Sequence, residues 1–176
     1  MQGVTTREIT EAAGQRNVSA VSYHFQSRQG LLVEVLARRG GPVDHARGEA
    51  RDALGSHPAP GDLLACLITP YAALLHHPEG RNYLRIVAQL RGRFALWRDA
   101  SDPATTAHLT RILAEVEAIP RAPAPVRRER VVSLIMLLTA SAAERARRID
   151  DGTGNELDHT AFTVNLISMC TALLSP

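Results

Sequence analysis

From Thr5 to Leu36 the chain reads TTREITEAAGQRNVSAVSYHFQSRQGLLVEVL, and the punctuation of this stretch decides the fold. Thr5 or Thr6 followed by Glu8 is a capping-box pattern, in which a hydroxyl and a carboxylate satisfy the free N–H groups of a helix start. It opens a short helix through Ala13, closed by Gly14. A second short helix is expected over about Val18 to His24, with Asn17 as its N-cap. Ser27 then caps a longer helix beginning at Arg28, whose Leu31, Leu32, Val35 and Leu36 form one apolar stripe. Gly40-Gly41-Pro42 is expected to interrupt or bend it before Val43 to Leu54 resumes.

Outward from this stretch, Gly and Pro separate segments rich in Ala, Leu, Arg and Glu that show no sustained alternation, so the expected fold class is all-α. A head over residues 1–40 precedes a helical body over 41–176, and Gly55 to Gly61 is the clearest linker. Five further segments follow at about 62–77, 80–98, 104–119, 124–148 and 157–174, with Pro70 expected to kink the first. Val131 to Leu138 is apolar on every face and Phe162 to Leu174 carries few charges. A helix apolar all round needs neighbours all round, so this pair is expected to pack on a partner subunit as well as on its own core.

The chain has 176 residues, 45% hydrophobic and 22% charged, which is enough to bury a core without disulfide or metal staples. The nearly apolar run from Val131 to Ala143 is too short to span a bilayer core of about 30 Å as a helix. The N-terminus has no apolar signal region, so a cytoplasmic location is expected. Cys66 and Cys170 stand far apart in apolar contexts and read as buried thiols. The 20 basic residues are all arginine, but 18 acids nearly cancel them, so any contact with nucleic acid needs a local patch.

Two short helices joined by a tight turn, the second polar at its start, allow one helix to enter a major groove while the other buttresses it. The residues carry this further. Thr5-Thr6-Arg7-Glu8-Ile9, Ala12-Ala13-Gly14, Val21-Ser22-Tyr23-His24-Phe25, Ser27-Arg28 and Gly30-Leu31-Leu32 resemble the helix-turn-helix of TetR-family transcriptional repressors. Ten residues separate Gly14 from Phe25, one more than the family's commonest spacing, and the surplus falls at Gln15-Arg16. Family members also carry a further helix before the position of Gly3-Val4-Thr5. Without its cover, Ile9, Ala13, Val21 and Phe25 are expected to lose an apolar neighbour.

The resemblance implies a ligand-responsive, homodimeric DNA-binding regulator. Asn17, Val18, Ser19 and Ser22 would reach base edges. Tyr23 and His24 resemble the family's phosphate-contacting aromatic pair, Thr6 and Arg28 stand at helix starts suited to phosphate oxygens, and Arg16 lies beside the backbone. The partner DNA would be a pseudo-palindromic double-stranded operator. In the body, Leu67, Tyr71, Leu74, Ile86, Leu90, Leu113 and Leu138 are expected to line a pocket for a small hydrophobic ligand, with Arg85 or Gln89 as polar anchors. The segments 124–148 and 157–174 would pair with their symmetry mates.

Weaker constellations carry blander readings. His76-His77-x-Glu79 could offer metal ligands but reads as a helix end. Arg91 to Arg98 reads as an amphipathic helix with Leu90, Phe94 and Trp97 on one face rather than a single-strand grip. No nucleophile elbow or phosphate loop appears, so no enzyme, metal or cofactor is expected. The alternatives are a helical small-molecule-binding or interaction protein with a disabled DNA head, and an all-α enzyme using His76 or His108.

Overall fold

The computed structural model describes residues 5–15, 17, 19–90, 103–154 and 156–174, and these form eight α-helices and no strand. The head follows its capping signals. In α1 (Thr6–Ala12) the Thr5 hydroxyl accepts from the Glu8 N–H at 3.2 Å, while the Glu8 carboxylate accepts from the Thr5 N–H at 2.6 Å. That reciprocal pair holds the Glu8 carboxyl below its ordinary range. Gly14 then turns the chain with φ +67. The next helix, α2, is described over Ser19–Phe25, with Asn17 Oδ1 accepting from the Ser19 N–H at 3.0 Å.

Gln26, in the left-handed region at φ 62, reverses the chain into α3 (Arg28–Asp52), where Ser27 Oγ accepts from the Gly30 N–H at 3.0 Å. A Cβ on Gly30 would stand 2.0 Å from the Phe25 carbonyl oxygen, so the first turn of α3 closes on the last carbonyl of α2 only because residue 30 has no side chain.

The expected interruption at Gly40-Gly41-Pro42 does not occur: α3 runs unbroken for 25 residues, with Pro42 inside it and the expected head–body boundary in its middle. Proline costs one rung of the helix. Burial of Val43, Asp44, Arg47, Gly48 and Arg51 against the body holds the backbone helical across that gap, a case of packing overriding propensity.

The body comprises α4 (Pro60–Ala73), a 3-10 turn at Leu74–His76, α5 (Pro78–Leu90), a 3-10 turn at Pro103–Thr106, α6 (Ala107–Ala118), α7 (Ala124–Asp151) and α8 (His159–Ala172). The segments read from the sequence match these within three residues, and the segment at 80–98 is described only to Leu90. Pro70 does not end α4, which continues to Ala73 before tightening into the turn. Leu64, Leu67 and Ile68 of α4 centre a core that also takes Leu84, Ile112, Leu134 and Leu166. Burial of each such side chain contributes about 1.5–3 kcal/mol. α5 lies along α7, and Arg81 and Arg85 clamp them by reaching Asp150 at 2.5 and 2.6 Å.

Candidate nucleic-acid interface

The inward side of α2 buries Val21, and Thr10 of α1 is buried beside it. Its other side is open. Asn17, Ser19, Ser22, Tyr23 and His24 are all exposed, Tyr23 at 83%, and Arg28 at the start of α3 is exposed with them. The Tyr23 and His24 rings meet edge-on at 5.0 Å. Thr6 is half-buried at the start of α1. Arg16 and Val18 lie outside the described residues. Asn17 commits its Oδ1 to the cap of α2, which leaves the Nδ2 amide as the group able to donate to a base edge. Hydroxyls, an amide, an imidazole, a phenol and a guanidinium are thus exposed along α2 and the start of α3, a donor-rich set suited to phosphate oxygens and base acceptors.

Behind that surface, Ile9, Ala13, Val21 and Phe25 line an open, mostly apolar cleft of about 330 Å³ together with Thr10, Gln15, His24 and Leu31.

In the body, Leu67, Tyr71 and Leu138 are buried and Leu74, Ile86, Leu90 and Leu113 half-buried. The expected anchors stand elsewhere. Arg85 is drawn across to Asp150, and Gln89 is exposed, because α5 gives its inner face to residues such as Leu84.

The inward polar groups come instead from α3. Asp44 accepts from the backbone N–H groups of His108 and Leu109 at 3.0 and 2.7 Å, capping α6. Arg47 donates Nε to the Leu67 carbonyl at 3.0 Å, and its guanidinium lies 5.7 Å from the centre of the Tyr71 ring. Burial depresses the Arg47 pKa and raises that of Tyr71. Arg51 pairs with Glu115 at 2.7 Å, and the hydrogen bonds between them raise its pKa. Sequence reasoning missed this face, although its signal is present: Gly40, Asp44, Arg47, Gly48 and Arg51 recur at helical spacing. Gly48 admits the His108 ring, which a Cβ would meet at 2.5 Å.

The His76 ring lies 4.1 Å from that of His159, well away from His108 against α3. No group of three or more His, Cys, Asp or Glu among the described residues could hold a metal. Cys66 and Cys170 are buried and unpaired, and burial pushes the Cys170 thiol up to about 11. The stretch from Arg91 to Arg98 lies outside the described residues. None of the described helices is long and apolar enough to cross a membrane. On the outer faces of α7 and α8, Val132, Met136, Val164 and Met169 are exposed, Val164 at 61%. A scan against protein-family models finds no match, and neither does a search of curated proteins.

Proposed function

We propose that the chain is a cytoplasmic, homodimeric DNA-binding regulator of the TetR type, a repressor released from its operator by a small molecule held in the body. The observation that carries this reading is the exposed surface of α2, where Asn17, Ser19, Ser22, Tyr23 and His24 face solvent beside Arg28. Solvent-facing Tyr23 has no packing role that would account for it.

Dimerisation is supported by the apolar side chains exposed on α7 and α8. Two copies joined there form a four-helix interface, and their α2 helices can serve one operator only if they stand about 34–36 Å apart. α3, about 37 Å long at 1.5 Å per residue, links head to body as a single rod. A ligand that prefers the wrongly spaced state by about 1–3 kcal/mol shifts operator occupancy roughly 5–150-fold.

A second reading, a helical ligand-binding or interaction protein whose head no longer engages DNA, is favoured by one observation: among the described residues, Ile9, Ala13, Val21 and Phe25 line an open apolar cleft. Gel-shift measurements on the intergenic DNA beside the protein's own gene separate the two. Under the regulator reading a specific complex forms, Tyr23→Ala weakens every sequence alike, and Asn17→Ala relaxes choice at one position. Ligand binding without any DNA complex leaves the second reading.

A further inference from the structure

Three charged side chains on the inner face of α3 are buried, and two of them are answered. Asp44 takes the N–H groups of α6 and Arg51 takes Glu115. Arg47, 7% exposed, has the Leu67 carbonyl on Nε, and no carboxylate pairs with it among the described residues. Beside it, Tyr71 is 4% exposed and its hydroxyl has no hydrogen-bond partner. Native interiors leave few such groups, because each has given up its bonds to water for nothing. A buried cation that makes one hydrogen bond, through Nε, thus lies over the ring of a tyrosine whose buried hydroxyl makes none. Tyr83 of α5 and, more weakly, the Asp44 carboxylate also bear on the same guanidinium, and Leu67, Leu84 and Val43 make the surrounding core apolar.

We infer that Arg47 and Tyr71 receive the carboxylate of a small amphipathic acid, whose apolar body lies among the leucines between α3, α4 and α5. This rests on the reading of the body as the ligand-binding unit and narrows its ligand from a hydrophobic molecule to a hydrophobic acid. The guanidinium fork matches a planar carboxylate, and with Asp44 already committed to the N–H groups of α6, a single ligand charge is the most that Arg47 can answer, whereas a dianion would bury a charge unanswered.

The test titrates the full chain by calorimetry and thermal shift with decanoate and 1-naphthoate against decanol and 1-naphthamide, which share the apolar bodies but not the charge. The acids should bind roughly tenfold or more tightly than the neutral partners. Arg47→Met should abolish that preference, and Tyr71→Phe, which removes only the unpartnered oxygen, should reduce it in a folded chain. Equal binding of acids and neutral analogues, no binding of either acid, or a preference that survives in both variants overturns the inference. Gel shifts on the unmodified protein keep the two proposals apart. A DNA complex without acid binding removes the acid site alone, and acid preference without a DNA complex removes the regulator alone.

Discussion

A Cβ on Gly40 of α3 would stand 2.8 Å from the Tyr83 hydroxyl of α5, whereas one on Gly41 would meet nothing within 4 Å. Adjacent glycines in one helix therefore differ in purpose. Gly41→Ala should stabilise the chain by less than the roughly 0.5–1 kcal/mol of ordinary helix propensity, because its Cβ, otherwise free of contacts, would crowd the ring of Pro42 next to it in the helix. Gly40→Ala should forfeit that gain by displacing the half-buried Tyr83, and it should alter ligand-induced release without abolishing operator binding. Melting curves and gel shifts with ligand check both; equal stabilisation by the two substitutions would show that Tyr83 moves aside freely.

At Gly30 the obstacle is backbone. Because a Cβ there meets the Phe25 carbonyl oxygen at 2.0 Å, Gly30→Ala must shift α2 against α3, at a cost of about 1–3 kcal/mol. The body is far from the change. DNA binding should fall while the main unfolding transition stays within a degree or two, and hydrogen exchange should quicken in α1 and α2 only.

Acid should loosen the clamp between α5 and α7. Asp150, held by Arg81 and Arg85, has its pKa lowered from 3.8, and Glu144, held by Arg147 and Arg148, is lowered from 4.5 to about 2. Both carboxyls are depressed in the folded state, so their stabilising effect is present above the ordinary carboxylate range and is lost as pH falls from about 4 towards 2. Urea midpoints measured over that window should decline, and Asp150→Asn should flatten the decline. A midpoint that rises on acidification contradicts the assignment.

The proposed dimer face can be tested by charge. Val164 and Met136 are exposed on α8 and α7, and Val164→Glu or Met136→Glu would place like charges opposite each other across a two-fold interface. Sedimentation should show the unmodified protein as a dimer and each variant shifted to monomer, with operator affinity reduced by 100-fold or more, the order expected when one of two linked heads is lost.

Much of the architecture could be read from the sequence because its signals are local. Thr5 with Glu8, Ser27 and Gly14 mark helix ends by their own hydrogen bonds and dihedrals, and the prolines at 60, 78 and 125 sit at or beside helix starts. What stayed hidden depends on tertiary contact. Gly40-Gly41-Pro42 looks like a break, yet packing on distant helices keeps the backbone helical through it. Arg85 looks inward-facing until Asp150, 65 positions away in sequence, draws it out. Asp44, Arg47 and Arg51 look like solvent charges because their carboxylate, carbonyl and N–H partners belong to other helices. On α2 the exposure around Tyr23 reflects a helix too short and too polar to bury more than Val21, while the orientation of α2 against α3 depends on the close approach at Gly30.

The most direct measurement is the salt dependence of binding to the intergenic DNA beside the gene. A dimer presenting Arg28 to phosphates from each subunit, with Thr6, Tyr23 and His24 as hydrogen-bond donors beside it, should release counterions. The logarithm of the binding constant should then fall linearly with the logarithm of salt, at a slope of about −2 or steeper, and Tyr23→Ala should lower affinity for specific and random duplexes alike. Binding that ignores salt, or an unmodified protein that forms no complex even at low ionic strength, contradicts the assignment of α2 as a DNA-reading helix.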